Sequence, residues 1–549
     1  MKKKITSLCL LLTLVVNIFA CSNTNNVISA KDLRNQYLTD SLKNLSYDKH
    51  LDISVGFWNI ENMKNDAEND KLRALIEEMF NITIIPMSVT WTNYKERYQI
   101  LMATDSLPDV FANLTISSND ANDSATYTQM IENGSICSLP EDMSPYPALS
   151  SLLNSVSYTK YNDGKYYAIP RCAFLDSELG FTDAAMLVRR DWMNNLGYSD
   201  PQSFDEFARM VSAFANDDPD GNGTDDTLGY NVNTLSAIGK WVMLGITPEC
   251  NVYSWIEQDG RYVPSWSTPQ FKEVVKDYGY LYKSGGLDPD FYSKSPTTII
   301  EDFAAGRLGA LEYKSSPGTL LEIKKLWDSH NDKPFEECVD ILPIFPAPDG
   351  KRYSNSSSIF WSESYISSNA GDEKRERILA LFEFLLSEKG YMLTKYGIEG
   401  EDYIKTGDGN YQCLLDTQNC ELKTLLESKY PSMYMFSGLA TWGGSWTDFE
   451  ENNLNKLLYG EDTLAISRKS AIWYSENTTQ LTRPYSFLMF PKEASDLFST
   501  SVVQDKLIQC IISSDDTLDC WNRALDQMYY QGLEDYIERQ NEAYNLAQS

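Results

Sequence analysis

The segment Asp218-Pro-Asp220-Gly-Asn222-Gly223-Thr224-Asp225-Asp226-Thr227 places oxygen-bearing side chains at its first, third and fifth positions and glycine at its sixth. Hard divalent cations take oxygen ligands, and a glycine at that point permits the sharp turn that wraps a chain around one. A backbone carbonyl from Thr224 at position seven and a side chain from Asp226 at position nine extend the set. The segment therefore matches the first part of an EF-hand calcium loop. Position twelve is Gly229 instead of a bidentate glutamate, so the EF-hand is incomplete. Asp, Asn and Gly also favour plain solvated turns, and that reading stands beside the calcium one. An ion held here would brace a loop and would take no part in a reaction.

Other residue types argue against catalysis. The chain has two histidines, His50 and His330, both in polar stretches. A Ser-His-Asp or Cys-His nucleophile needs a histidine base, and catalytic zinc usually needs more than one histidine. Glycoside hydrolysis needs two carboxylates flanking the scissile bond, and nothing singles out a pair among the 78 acidic residues. Aromatic residues are plentiful instead, with 34 Tyr and 12 Trp. Their rings pack on apolar surfaces and their rims donate hydrogen bonds, which suits the faces of sugar rings as well as protein cores. Trp58, Trp241, Trp361, Trp442 and Trp446 are the candidates for stacking on a ligand, and core packing is the competing reading for each. Thr441-Trp442-Gly443-Gly444-Ser445-Trp446 sets two of them among small residues, as an exposed platform would need. Arg171 and Glu363 are candidates to anchor hydroxyls through charge-assisted hydrogen bonds. Trp192 and Trp327, on helical segments, are expected in the core.

The elements that must position these residues are legible in the hydrophobic spacing. Leu51, Ile53, Val55 and Phe57 alternate with small and polar residues, which predicts a strand. Leu72, Leu75, Ile76, Met79 and Phe80 follow helical spacing, and Asn-Ile-Thr-Ile-Ile at 81–85 is a second strand. A helical stretch from Tyr94 to Met102 leads to a third strand after Leu-Pro-Asp-Val-Phe at 107–111. Strand, helix, strand, helix, strand is a parallel α/β unit, and ligands of such sheets bind beyond the carboxyl ends of the strands. Trp58, Asn59 and Asn113 are placed there. A further strand is expected at Ala185–Arg189, with a helix ending at Gly197 and an amphipathic helix through Ile378, Leu381, Phe382 and Leu385. The last hundred residues are expected to be mainly helical.

The chain of 549 residues is too long for one compact domain. A net charge of -31 repels phosphate backbones and anionic surfaces, so no nucleic-acid partner is expected. Lys2, Lys3 and Lys4 followed by the apolar run from Ile5 predict a secretory signal over residues 1–20. Its end, Ala20-Cys21, resembles the bacterial lipobox, in which the cysteine is acylated and becomes the mature N-terminus. Acyl chains on Cys21 would hold the protein at the membrane, and residues 21–50 then form the lipidated cysteine and a polar tether. Eight cysteines remain besides Cys9 and Cys21, with no CxxC pair. Local disulfides between Cys413 and Cys420 or Cys510 and Cys520, and free thiols, both remain open.

Several segments in order resemble the family 1 extracellular solute-binding proteins of carbohydrate transporters, especially the large lipoproteins of Gram-positive bacteria. They are Leu-Pro-Asp-Val at 107–110, Asp-Gly-Lys-Tyr-Tyr-Ala-Ile-Pro at 163–170 and Val-Arg-Arg-Asp-Trp-Met-Asn-Asn-Leu-Gly at 188–197. Leu-Tyr-Lys-Ser-Gly-Gly-Leu-Asp-Pro-Asp-Phe at 281–291, Phe-Ala-Ala-Gly-Arg-Leu-Gly-Ala at 303–310, Pro-Asp-Gly-Lys at 348–351 and Tyr-Gly-Ile-Glu-Gly-Glu-Asp-Tyr at 396–403 complete the set. The resemblance implies an α/β, two-lobed periplasmic-binding-protein-like fold of type II, with hinge strands and a ligand cleft between the lobes. Lobe one would take 51–175 plus 366–440, and lobe two 176–365 plus 441–549. Trp361-Ser-Glu363 would then sit at the hinge. The implied function is the substrate-binding subunit of an ABC importer at the outer face of the cell membrane. It would capture an oligosaccharide by lobe closure and pass it to the transmembrane permease subunits, as a lipid-anchored monomer without enzymatic activity. In related transport proteins the shortened calcium loop is completed by its ninth and tenth residues, here Asp226 and Thr227. A surface lipoprotein that captures or senses glycans without import, a glycoside hydrolase, and a receptor for peptides or other solutes are the alternatives, since fold alone does not set the ligand.

Overall fold

The computed structural model describes residues 29–548 apart from 59, 65–68, 118–120, 173–175, 234–237, 251, 253, 356–359, 442–443 and 482–495. Cys21, Asn59 and Trp442 therefore lie outside the described residues. Two sheets organise the chain. The first has the order β2-β1-β3-β12-β4 and is built from β1 (Leu51–Trp58), β2 (Ile82–Val89), β3 (Val110–Asn113), β4 (Ile169–Cys172) and β12 (Phe360–Ile366). The second has the order β10-β5-β9-β6 and is built from β5 (Ala185–Arg189), β6 (Leu228–Val232), β9 (Leu308–Tyr313) and β10 (Val339–Leu342). Three short pairs complete the strands: β7 (Trp255–Gln258) with β8 (Arg261–Pro264), β11 (Tyr353–Asn355) with β15 (Thr479–Leu481), and β13 (Tyr403–Lys405) with β14 (Tyr411–Cys413).

Each sheet carries its own core. One cluster of buried side chains runs through residues 33–169 and 360–458, the other through 179–345 and 449–537. Two cores in one chain of this length are what surface-to-volume scaling requires, and the fold is two-lobed α/β. In lobe one, β1 pairs in parallel with β2 from Leu51↔Ile82 to Trp58↔Val89, and with β3 at Val55↔Val110. Between β1 and β2 runs the helix Lys71–Phe80, whose N-cap Asp70 accepts from the Arg73 amide. The Asp109 carboxylate of the Leu-Pro-Asp-Val segment accepts from Ser54 N–H and Oγ, both at 2.7 Å, and from Lys374 Nζ. That buried carboxylate ties the start of β3 to the middle of β1. Above it, Gly56 is a close-approach position, because a Cβ there would lie 2.9 Å from Pro108 Cγ and from the Tyr98 hydroxyl.

The lobe boundaries differ from the sequence expectation in three places. Residues 30–47, expected as a polar tether with some helical character, form the helices Ala30–Tyr37 and Asp40–Lys43 but bury Leu33, Tyr37, Leu38 and Leu42 in lobe one. Arg377 fastens this segment by donating to the carbonyls of Ser46 and Phe80. Strand β12, whose residues 360–365 were expected in lobe two, pairs antiparallel with β3 and β4 and belongs to the first sheet. Leu454 and Leu458, expected in lobe two, pack into lobe one. A crossing strand is assigned by its partners, and those do not show in its own periodicity. The eight cysteines of the described residues are free thiols.

Candidate functional site

Four aromatic rings gather beyond the carboxyl ends of β1 and β2. Trp58 closes β1, Trp91 and Tyr94 follow β2, and Trp361 comes from β12. Ring centroids lie 5.2 Å apart for Trp58–Trp91, 5.6 Å for Trp58–Tyr94, 5.3 Å for Trp91–Tyr94, 5.3 Å for Trp91–Trp361 and 6.1 Å for Trp58–Trp361. These separations are those of mutually packed aromatic pairs. Trp58 and Tyr94 are buried and form the base of the group, whereas Trp91 is 48 % exposed and Trp361 partly so. The Trp58 indole N–H is buried without a hydrogen-bond partner. Tyr434, 57 % exposed, extends the group through an edge contact with Phe57 at 5.8 Å.

A backbone irregularity aims Trp361. The pairing of β12 with β4 slips between Phe360 and Glu363, and Ser362 in that slip has φ +70°. A non-glycine residue rarely adopts such a conformation, and bulges of this kind re-aim side chains beside binding sites. Three contacts hold it. The Ser362 amide donates to Ser117 Oγ at 2.8 Å, the Arg171 guanidinium donates to the Ser362 hydroxyl, and that hydroxyl donates to the Trp361 carbonyl.

The two charged candidates are buried and bound to protein groups. Arg171 is 2 % exposed; its Nε donates to the Gly438 carbonyl at 2.6 Å and its guanidinium lies under the Phe57 and Trp58 rings at 5.0 and 4.8 Å. Burial lowers its pKa to about 10, so it keeps its proton at neutral pH. Glu363 is fully buried and accepts from the amides of Thr115, Ile116 and Ser117 at 3.0, 3.3 and 2.8 Å. Its carboxylate therefore shapes the turn after β3 and anchors no sugar hydroxyl. Burial pushes this carboxyl above its ordinary range, and the amide donors pull the other way.

The remaining candidates are scattered. Trp241 is 1 % exposed in the lobe-two core, with its indole N–H donating to the Tyr474 hydroxyl at 2.7 Å, which removes it from any ligand surface. Trp446 packs on Phe449 and on the lobe-two core, donates its backbone N–H to Asp176 at 2.9 Å and its indole N–H to Glu178, and has no ring contact with the Trp58 group. Asn113 ends β3 opposite Glu363; its side-chain oxygen accepts from the Leu114 amide at 2.9 Å. Trp91, Tyr94 and Tyr434 were not anticipated. A signal for Trp91 existed, because the rule that points to the residue ending β1 points equally to the residues following β2.

The Asp218 loop turns through positive φ at Asp218, Gly221 and Gly223. Asp218 accepts from the amides of Asn222 and Gly223 at 3.1 and 3.0 Å. Asn222 Nδ2 donates to Asp220 at 2.9 Å and to Asp226 at 3.3 Å, so a side-chain amide stands between carboxylates. Partial burial, and after it the neighbouring carboxylates, raises the Asp220 pKa above the usual carboxylate range. Asn222 Oδ1 accepts from the Thr224 amide at 2.6 Å. Thr227 turns inward and donates its hydroxyl to the Phe214 carbonyl at 2.8 Å. Among the described residues no three acidic, His or Cys side chains stand grouped as a metal site.

No family model matches the chain. Three curated relatives do. The polygalacturonan/rhamnogalacturonan-binding protein YtcQ of Bacillus subtilis is 25 % identical over 344 residues, 61 % of this chain and 64 % of the relative. Lipoprotein LipO of Bacillus subtilis is 24 % identical over 329 residues, 58 % of this chain and 61 % of the relative. The fructooligosaccharide ABC transporter substrate-binding protein FusA of Streptococcus pneumoniae is 22 % identical over 284 residues, 48 % of each chain. The chain thus spans less than two thirds of the length of the curated relatives it matches. The structure of FusA in complex with kestose aligns over 90 % of this chain and 99 % of FusA, with a TM-score of 0.63 and 15 % identity. An EF-hand mutant of FusA in complex with fructo-nystose aligns over 91 % of this chain and 99 % of FusA, with a TM-score of 0.62 and 16 % identity. The two-lobed fold is that of the FusA structures, and two of the three relatives are named as carbohydrate-binding proteins and one as a lipoprotein.

Proposed function

We propose that this chain, a relative of the substrate-binding proteins and lipoproteins of bacterial ABC transporters, is the extracellular receptor subunit of an importer and binds an oligosaccharide. The observation that carries the reading is the Trp58, Trp91, Tyr94 and Trp361 group at the carboxyl edge of the first sheet, in which Trp91 is 48 % exposed. Sugar rings present apolar C–H faces to such a surface and hydroxyls to its rim. Closure of the second lobe over the bound glycan supplies the state that permease subunits recognise, because the ligand binds the closed state better. The receptor releases its cargo unchanged. Acylation of Cys21 anchors it as a monomer at the outer membrane face; among the described residues no helix is long and apolar enough to cross a membrane.

The mature domain, starting after Cys21, tests this directly by thermal melting against neutral and acidic oligosaccharides. A ligand that binds only the folded state raises the melting temperature. Trp91→Ala removes the open ring without opening the core. It is expected to weaken glycan binding at least about tenfold, or about 1.4 kcal/mol, while the unliganded melting temperature stays within a few degrees. Unchanged affinity in that variant would remove the aromatic group from the binding surface, and release of a shortened glycan would identify an enzyme.

Calcium in the Asp218 loop is part of the same proposal. Asp218, Asp220, Asn222, Asp226, the Thr224 carbonyl and Thr227 are the oxygen donors, and an ion would offset the carboxylate repulsion that adds to burial in raising Asp220. The EF-hand variant made in FusA supports such a loop in a relative. Chelator is expected to lower the melting temperature and calcium to restore it, worth about 2.7 kcal/mol at a hundredfold excess over Kd. Asp220→Asn should abolish that difference. A chelator-insensitive melt would leave the loop a solvated turn.

A further inference from the structure

Reciprocal charges face each other where the two lobes meet. The helix Pro317–Asp328 buries Leu320, Ile323 and Trp327 in lobe two. Glu322 and Lys325 stand off that face, three residues apart and so neighbours on the helix surface. The helix Leu422–Lys429 buries Leu422 and Leu426 in lobe one, with Glu421, its N-cap, and Lys423 at its start. Lys325 Nζ meets Glu421 at 2.5 Å, and Lys423 Nζ meets Glu322 at 3.6 Å while also lying 4.0 Å from Glu427. Both pairs therefore cross from one core to the other. The same lobe-two helix approaches lobe one at Gly318, where a Cβ would stand 3.6 Å from Tyr459, a residue packed on the lobe-one core.

An exposed ion pair adds little to the stability of a rigid fold. Between two bodies that move, it acts on a different equilibrium. Each lobe has its own core, so these pairs bias the arrangement of the lobes and leave the folding of either one alone. In the arrangement seen, Trp91 is 48 % exposed and packs on Trp58, Tyr94 and Trp361 of lobe one, so lobe two has not closed over it. Lys325 and Glu421 are already in contact, and further rotation of lobe two toward the rings cannot bring them nearer. It turns about them or parts them. We propose that the Lys325–Glu421 and Lys423–Glu322 pairs are a brake on lobe closure, which holds the receptor's affinity below the value its cleft contacts alone would give. A ligand then spends part of its preference for the closed state on releasing the brake. The inference rests on the lobe-closure reading above and adds to it a control point outside the aromatic group.

The test compares the natural mature domain with two variants. Lys325→Glu/Lys423→Glu sets acidic side chains against one another across the boundary. Glu322→Lys/Lys325→Glu/Glu421→Lys/Lys423→Glu restores both attractions with the signs exchanged and keeps the natural net charge. Small-angle scattering at about 0.01 M salt, where charges are screened over about 30 Å, reads the lobe arrangement without any ligand. Calorimetry reads Kd for nystose, cellotetraose and tetragalacturonate, of which the first two carry no charge and so respond to the lobes alone. The double reversal is expected to lower the radius of gyration and to tighten the bound glycan about tenfold. The fourfold exchange should return both to within about twofold of the natural chain, and about 1 M salt, with screening over about 3 Å, should erase the differences. Melting temperatures should stay within a few degrees throughout. A double reversal with an unchanged or larger radius and an unchanged or weaker Kd would overturn the brake and leave the transport reading standing. So would a fourfold exchange that behaves like the double reversal, because pairing would then have no part. Binding of none of the three glycans would count against the carbohydrate reading, and the scattering result would still decide the brake.

Discussion

Glu363→Ala is expected to destabilise lobe one by on the order of 3–5 kcal/mol and to weaken the proposed glycan binding in whatever protein still folds. Three consecutive amides, of Thr115, Ile116 and Ser117, converge on this one carboxylate, with the Tyr365 hydroxyl behind it at 3.3 Å. Alanine leaves those donors buried without an acceptor, and unmade bonds of this kind cost more than the bonds contribute when made. The turn they hold also carries Ser117, whose hydroxyl receives the Ser362 amide and so supports the bulge that presents Trp361. Stability and the proposed binding are therefore coupled at a residue that is fully buried. Glu363→Gln discriminates this account from one of simple charge. An amide accepts on one side only and turns its own N–H against the donors on the other, so Gln should lose roughly half as much as Ala. Urea unfolding of the two variants measures both. A loss below about 1 kcal/mol for Glu363→Ala would mean that the turn is held by something else.

The same carboxylate shows where sequence reasoning runs out. Alternation at Leu51–Phe57 and helical spacing at Leu72–Phe80 are local signals, and the strands and helix they predict are present because burial of one face follows from the spacing itself. Trp58 was placed correctly at a strand end, because the strand's length puts it there. The role of Glu363 depends instead on a turn 246 to 248 residues away in the chain, and nothing at positions 361–365 announces it. Arg171 is similar. Its sequence neighbours suggest a strand, but only the fold places Phe57 and Trp58 over its guanidinium and Gly438 against its Nε. An acidic or basic residue near an expected cleft is a reasonable anchor for a hydroxyl until its partners are known. Trp91 failed to stand out for the opposite reason. It lies in a polar run, Thr90-Trp91-Thr92-Asn93, and only the in-register pairing of β2 with β1 sets it beside Trp58.

Trp241 leads to the second large effect, in the core of lobe two. Its amide donates to Glu312 Oε1 at 3.0 Å, and the Tyr230 hydroxyl donates to Oε2, also at 3.0 Å. Gly239 leaves room for this carboxyl, because a Cβ there would stand 1.9 Å from Oε2. Burial raises the Glu312 pKa from its ordinary 4.5 to about 7, with the hydrogen bonds from Trp241 and Tyr230 opposing the shift. A folded-state pKa above the unfolded one means that the folded protein binds the proton more tightly. The contribution is thus fully present below about pH 4.5 and is lost as the pH rises through about 7. The shift corresponds to about 3 kcal/mol. Glu312→Gln carries no titrating group and keeps one acceptor. Relative to this variant, the natural chain should lose about 2.5 kcal/mol of stability between pH 5 and pH 8, read as the change in the difference between their urea midpoints. Because the variant shares every other carboxylate, the difference isolates Glu312 from the self-repulsion of a chain with net charge -31. Parallel pH profiles would mean that the carboxyl titrates near its ordinary value, and that water reaches the Tyr230, Trp241 and Tyr474 network in solution.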